Sequence, residues 1–385
     1  MKILLFTDGI YPYEMGGMQK HSFYLAKYLV KLNHEVTLVH CVDKNKSVPS
    51  NQEVSDFIAG SSNLKVLGFH FPNSMPFPGH YIYRNWLYSG LIYNHFKNTL
   101  IDYDLIYTQG FTAWQLLKNV KNAKKPPVIV NLHGLEMFQT SFSAKEKLQK
   151  FLLKIPAKYV IKHADFVQSL GGKLTLLLEK LTAKSKVFSC GIGIDSTWMK
   201  QDLVSSSNID SLKPLKFVFI GRYEKRKGID VLNEALNLDE SFKNELHIDF
   251  IGPIPTDKQL IGNHIIYHGT INDEQAIKAI LSKADVLVVP SLSEGMPTVI
   301  LEAMSMGLAI LATDVGAVSE LVNNGNGWLI NPNNSKSLFE HLKLIHQLNP
   351  EQISQKKKAS LSVVKTYNWS QKIEEYVYHF KSIIG

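Results

Sequence analysis

Cysteine is scarce in this chain: two in 385 residues, Cys41 and Cys190. That excludes a disulfide-stapled fold and a zinc-finger site, and it fits a reducing compartment. Long apolar runs are missing too. None reaches the roughly 18 residues that a membrane-crossing helix needs. The opening MKILLFTDGIYPYEMGG is expected not to be a secretory leader, because its apolar run is short and Asp8 follows it. There is no HExxH, no pair of CxxC motifs, no P-loop, no GxGxxG fingerprint and no repeat of about 20–50 residues. Compositional bias is absent: 45% hydrophobic, 10% aromatic and 20% charged residues exclude a disordered or collagen-like chain. The length suits two domains of roughly 100–200 residues each. What stands in excess is positive charge, +8 formally. By itself it fits nucleic acid, an anionic membrane surface or an acidic substrate.

Short Val-, Ile-, Leu- and Phe-rich runs alternate with helical patterns, as in a parallel sheet buried on both faces. The first half carries KILLFT (2–7), VTLVH (36–40), LKVLGF (64–69), DLIYT (104–108), VIVNL (128–132), DFVQSL (165–170) and KVFS (186–189). A helix between the first two has an apolar stripe of Phe23, Leu25, Ala26, Leu29, Val30 and Leu32. The polar, Ser-rich stretch 201–216 reads as a linker. The pattern then restarts with KFVFIG (216–221), HIDFIG (247–252), HIIYHG (264–269), DVLVVP (285–290), LAILAT (308–313) and GWLI (327–330). SQKIEEYVYHFKSII at the end reads as an amphipathic helix. The fold expected is α/β, two doubly wound domains.

Ligands of such sheets gather at the C-terminal strand edge, and several residues are placed there. Gly16-Gly17 opens the first helix, where free N–H groups can meet an anion; a plain flexible turn explains the pair equally well. Arg222 and Lys227 in FIGRYEKRKGIDVL suit a diphosphate, or form a solvated basic turn. In PSLSEGMPTVILEAMSMG, Glu294 ends a loop and Glu302 lies in a helix starting near Pro297. The helix start offers N–H groups to an anion, and the two carboxylates can accept hydrogen bonds from hydroxyl pairs of a sugar or ribose. His133 ends a strand and is followed by Gly134, so it is either a structural group or a contact at the same edge. His21, early in the first helix, reads as a cap, core filler or substrate contact. Asp102-Tyr103-Asp104 looks like a metal-binding DxD, but it sits at the entry end of a strand, and no metal site is expected.

Together these motifs resemble the retaining family 4 glycosyltransferases (glycosyl transferases group 1) of GT-B fold. The resemblance spans nearly the whole chain. It rests on the E-x7-E pair Glu294 and Glu302, on GRYEKRKG, on GGMQKHSFYLAKYL, and more weakly on IKHADFVQSL, ADVLVVPS and YNWS. SCGIGIDSTWMK departs from it, since many members have Asn before the Gly. The resemblance implies an acceptor-side Rossmann-like domain over 1–200, joined by the helix 370–385, a donor-binding domain over 206–369, and an active site in the cleft between them. It implies that Arg222, Lys227, Gly16 and Gly17 hold the donor diphosphate and Glu302 the ribose. Glu294 holds the transferred sugar, with Gly295, Met296, Pro297 and Thr298 beside it. Ile271 borders the base, and His133 lies near the reacting centre. His133, Glu294, Lys227 and Arg222 are the expected catalytic set. No protein nucleophile, cofactor or metal is expected: the nucleotide-diphosphate sugar is substrate, a UDP-sugar favoured over GDP-mannose. A UDP-sugar 2-epimerase of the same fold is the alternative.

The excess charge is not evenly spread. Residues 1–205 carry +10 and residues 206–385 carry −2. Much of the excess lies in 143–165, where Lys147, Lys150, Lys154, Lys158 and Lys162 recur beside Phe151, Leu152 and Ile155. Such a stretch suits an anionic membrane surface or is a solvated helix face. The aromatic, Pro-rich stretch 69–90 suits an acceptor-side surface, and core filling accounts for it as well. No nucleic-acid motif is present. The expected setting is therefore a cytoplasmic, peripheral enzyme acting on a glycan or lipid-linked acceptor in surface polysaccharide or glycolipid synthesis.

Overall fold

A computed structural model describes residues 1–58, 62–75, 77, 79–120, 125–141, 143–199 and 214–385. The chain forms two units: Met1–Gly193 with Trp369–Gly385, and Ile194–Asn368. Most of the expected linker, and the expected boundary at 200–206, lie outside the described residues. Residues 194–199, expected with the first domain, belong to the second unit. Local bonding explains this: the Ile194 N–H donates to the Tyr367 carbonyl at 2.7 Å, and Lys278 Nζ donates to the Thr197 carbonyl at 2.8 Å.

The first unit is built on seven strands: β1 (Lys2–Phe6), β2 (Glu35–Val42), β3 (Leu64–His70), β4 (Leu105–Gln109), β5 (Val128–Asn131), β6 (Phe166–Ser169) and β7 (Val187–Ser189). Their order is β3-β2-β1-β4-β5-β6-β7, and every pairing is parallel. The second unit has six strands: β8 (Lys216–Ile220), β9 (His247–Ile251), β10 (Ile265–Tyr267), β11 (Val286–Val289), β12 (Ala309–Thr313) and β13 (Gly327–Ile330). Their order is β10-β9-β8-β11-β12-β13, again all parallel. Helices cover both faces, so the central strands are buried throughout, which is why they read as continuous apolar runs. Each strand starts and ends within two residues of its expected run. In each sheet the direction of winding reverses once, between β1 and β4 and between β8 and β11. Chain connections leave to opposite faces there and open a crevice at the strands' C-terminal ends.

Helix Gly17–Lys31 buries Phe23, Leu25, Ala26, Leu29 and Val30; Leu32, expected in the same stripe, is the exposed C-cap. The last helix, Trp369–Ile384, buries Trp369, Ile373, Tyr376 and Phe380, a stripe at helical spacing. These side chains join the core of the first unit with Phe23, Leu29 and Tyr107. Trp369 stacks on Tyr28, with ring centroids 6.0 Å apart. Phe380 is fully buried, so Phe380→Ala is expected to cost about 3–5 kcal/mol. Urea denaturation checks this; a loss below about 1 kcal/mol contradicts the packing of this helix into the first core.

Candidate functional site

The second unit gathers its polar groups at the β8–β11 reversal. Beyond β8 the chain passes Gly221 and Arg222 into the short turn Lys225–Lys227, and helix Ile229–Leu236 follows. Gly228 joins them with φ +67°, and a Cβ there would lie 1.9 Å from the Pro290 carbonyl oxygen beyond β11. Only glycine permits that approach. The Leu292 N–H donates to the Arg226 carbonyl at 2.7 Å, so the two loops are locked together.

The lock sets Lys227 against Glu294. Lys227 Nζ donates to Glu294 Oε1 at 2.6 Å, and the Ser291 hydroxyl donates to the same oxygen at 2.8 Å. Arg226 Nη1 stands 3.8 Å from Oε2. The Glu294 side chain is 6% exposed and that of Lys227 18%. A buried carboxylate is costly unless cations and donors surround it, and here they do. Gly316 (φ +57°) holds the loop from the other side, because a Cβ there would meet the Glu294 and Gly295 carbonyls at 2.2 and 2.6 Å. The Ser293 hydroxyl is buried with no hydrogen-bond partner among the described residues.

Other expected residues fall around this pair. Pro297 occupies the N-cap of helix Thr298–Ser305, so the free N–H groups of the helix start just beyond Gly295 and Met296. Glu302 lies half-buried on that helix. Arg222 is largely exposed, and its Nε donates to Glu224 Oε1 at 2.9 Å. Ile271 is half-buried in the segment between β10 and helix Glu274–Leu281. Arg226, Glu224, Ser291 and Gly316 were missed by sequence reading. Arg226 lies inside the GRYEKRKG stretch, so a signal existed; Gly316 shows its role only through its dihedral.

In the first unit, Gly16 is the N-cap of the first helix and Gly17 its first residue. His133 follows β5 with φ +52°, and Leu135 follows at +49°. Non-glycine residues in that region cost on the order of 1–3 kcal/mol each, and the His133 N–H bond to Asn131 Oδ1 at 2.8 Å helps hold the turn. His133 Nε2 lies 2.5 Å from Gln109 Oε1. Gln109, at the end of β4, also reaches His21 Nδ1 through its Nε2 at 2.9 Å. His21 is a buried core group, not a cap: the helix has no side-chain cap, and Nε2 lies 2.8 Å from Tyr376 Oη. Burial holds His133 neutral, its pKa down to about 3, and pushes that of His21 well below the ordinary value, with His133 adding repulsion. Asp104 of the DxD accepts the Lys2 N–H at 2.7 Å. Among the described residues no group of three or more His, Cys, Asp or Glu side chains is placed to hold a metal ion.

With this geometry in view, two family models match the chain: "Glycosyltransferase Family 4" over residues 15–173 and "Glycosyl transferases group 1" over 214–347. The chain belongs to the family 4, group 1 glycosyltransferases. A putative teichuronic acid biosynthesis glycosyltransferase of Bacillus subtilis, TuaC, is 29% identical over 225 residues, 57% of this chain and 55% of that relative. Sucrose-phosphate synthase of Thermosynechococcus elongatus superposes with a TM-score of 0.77 at 17% identity, covering 99% of this chain and 98% of the other. Anabaena HepE, solved in complex with UDP-glucose, superposes at 0.65 and 15% identity, over 98% and 100%. The fold of this glycosyltransferase family member is GT-B, two Rossmann-like domains. The epimerase alternative finds no support among these relatives.

The depressed histidine pKa values generate a pH prediction. His133 binds its proton more weakly folded than unfolded, so between about pH 6.5 and 3 the unfolded chain takes up protons that the folded one refuses. Stability is therefore full above about pH 6.5 and falls on acidification, by up to about 1.4 kcal/mol per pH unit for each such histidine. His133→Asn removes one of them. Comparing the two proteins cancels groups that do not feel His133, including Asp8, whose burial raises its pKa to about 6, while His21 loses the repulsion of His133, which changes the acid loss in the same direction. Urea denaturation at pH 7.5 and 5 is expected to show a smaller acid loss in the variant; equal losses contradict a neutral His133.

Proposed function

We propose that this glycosyltransferase moves a hexose or N-acetylhexosamine from a nucleotide-diphosphate sugar, a UDP-sugar before GDP-mannose, to a glycan or lipid-linked hydroxyl acceptor with retention of configuration. The observation that carries the reading is the pair of buried Glu294 and half-buried Lys227 at the sheet reversal before a helix N-terminus. Breaking the anomeric C–O bond leaves growing negative charge on the diphosphate and positive charge on the sugar. Lys227, Arg222 and the N–H groups of Gly17, Gly295, Met296 and Thr298 stabilise the former without reorganising. When the diphosphate takes Lys227 as its partner, Glu294 is left to accept hydrogen bonds from the sugar hydroxyls. Glu302 accepts those of the ribose, Gly16 gives the backbone room, Ile271 borders the base, and His133 positions the sugar. No protein side chain serves as nucleophile; the leaving phosphate accepts the acceptor's proton. Protein cations and N–H groups meet the diphosphate charge, so the reaction is metal-independent. HepE, solved with UDP-glucose, supports the UDP preference, and the name of the TuaC relative supports surface polysaccharide synthesis.

The acceptor side is assigned to the first unit. Helix Ala144–His163 is capped by Ser143 and turns Pro156, Ala157, Val160 and Ile161 inward. Leu148, Phe151 and Ile155 stand exposed, with Lys147 and Lys158 also exposed on that helix. Lys150 does not join that basic set: it is buried and donates to the Thr140 carbonyl at 2.5 Å. An apolar stripe flanked by lysines suits the surface of an anionic membrane, and Met75, Phe77, Tyr81 and Tyr83 add exposed apolar groups elsewhere in the unit. No helix among the described residues is long and apolar enough to cross a bilayer.

Lys227→Met and Glu294→Gln are each expected to slow donor-dependent nucleotide release by about 10²-fold or more, with circular dichroism confirming the fold. EDTA is expected to leave the wild-type rate unchanged. Near wild-type turnover in either variant contradicts the site, and strict metal dependence contradicts the charge assignment. Vesicle co-sedimentation tests the helix: binding is expected to need anionic lipid and to weaken in Phe151→Ser/Ile155→Ser, and binding indifferent to both contradicts the membrane reading.

A further inference from the structure

His133 closes a ring of hydrogen bonds on itself. From its ring, Nε2 meets Gln109 Oε1, Gln109 Nε2 meets His21 Nδ1, and His21 Nε2 meets Tyr376 Oη. From its backbone, the N–H meets Asn131 Oδ1, Asn131 Nδ2 meets Tyr107 Oη, and Tyr107 Oη meets Gln168 Oε1. The arms join where Gln168 Nε2 donates to Tyr376 Oη at 2.7 Å. Gln109, Asn131, Tyr107 and Tyr376 are wholly buried, and Gln168 and His21 are 2% exposed.

Two backbone carbonyls decide the direction of every bond in the ring arm. Gln168 Nε2 also lies 2.8 Å from the Cys190 carbonyl, which can only accept, so the amide nitrogen is fixed there. Tyr376 Oη therefore accepts from Gln168 and spends its single hydrogen on the Gly191 carbonyl, 3.3 Å away. Towards His21 it can then only accept, so His21 carries its hydrogen on Nε2. A neutral His21 leaves Nδ1 bare, and Gln109 must donate to it through Nε2. That turns Gln109 Oε1 towards His133, whose Nε2 must donate in turn. A reversal anywhere leaves two acceptors or two donors facing each other in a buried site, at a cost of about 1–3 kcal/mol.

We propose that this ring holds His133 as the neutral tautomer with hydrogen on Nε2, so that Nδ1 accepts a hydrogen bond from a hydroxyl of the bound sugar, with Gln109, His21 and Tyr376 as positioning residues. The hydroxyl partner rests on the reading of His133 as a sugar-positioning group; the tautomer does not. The pKa depression that burial imposes on both histidines agrees with the neutral state. Nδ1 has no hydrogen-bond partner among the described residues, and it is not among the buried, unpartnered atoms. A histidine so held discriminates: it is an acceptor for a hydroxyl and a poor partner for phosphate oxygen.

Nitrogen-15 NMR of the histidine-labelled full chain at pH 7.5 tests this. His133 and His21 are each expected to show hydrogen on Nε2 and a bare Nδ1. Tyr376→Phe removes the acceptor of His21, and Gln109→Leu removes that of His133; in each the single tautomer of His133 is expected to be lost. Hydrogen on Nδ1 of His133 in the wild type overturns the proposal, as does a single Nε2–H tautomer in both variants. Saturating UDP-glucose or GDP-mannose is expected to shift the His133 Nδ1 signal towards that of a hydrogen-bonded nitrogen, with UDP alone leaving it in place. A signal that neither sugar nucleotide moves overturns the acceptor role. If Glu294→Gln transfers at the wild-type rate, the transferase site fails while the tautomer of the free protein stands, so the two failures are distinct.

Discussion

All pairings in both sheets are parallel, and the chemistry of the molecule depends on that constraint. A parallel sheet sends all its strand C-termini to one edge and must carry each connection back across a face. Where the winding reverses, between β1 and β4 and between β8 and β11, that edge opens. Gln109 and His133 stand at this edge of the first unit, and Lys227 and Glu294 at that of the second. None of these groups is near its partner in sequence. Lys227 and Glu294 meet because Gly228 lets one loop rest on the Pro290 carbonyl of the other.

The two edges manage buried polarity in opposite ways. In the second unit charge meets charge: a carboxylate with almost no exposure is surrounded by a lysine, an arginine and a serine hydroxyl. Such a pair gains little net stability, since desolvation offsets most of its Coulomb energy. It keeps a cation in a half-buried place, where an anion gains more from it than in water. In the first unit charge is excluded. Histidines are kept neutral, and direction in a hydrogen-bond chain replaces charge as the ordering principle. The C-terminal helix belongs to that chain through Tyr376, so the last residues of the sequence help to orient a group that follows the fifth strand.

Much of this was legible in the residues. The runs of Val, Ile, Leu and Phe marked the thirteen strands among the described residues, most continuously in the central ones, because strands buried on both faces leave little room for polar side chains. Glu294, Lys227, Arg222 and His133 were legible because strand ends followed by glycine are where such sheets keep polar groups. What was not legible depends on pairing across the fold. Nothing in the spacing says that Lys227 rests on Glu294, or that Lys150 turns inward while Phe151 turns out. His21 was ambiguous because its partners Gln109 and Tyr376 lie 88 and 355 residues away. Leu32 fits the apolar stripe by periodicity, but the helix ends before it.

The central claim is that sugar leaves the diphosphate and meets the acceptor on the same face, with protein charge steadying the departing phosphate. The stereochemistry of the product tests it most directly. With an α-linked nucleotide sugar as donor, the anomeric proton coupling of the product, read by NMR as it forms, is predicted to be that of an α-linkage. A β-linked product would require attack from the opposite face and a protein base to drive it, and would contradict the account.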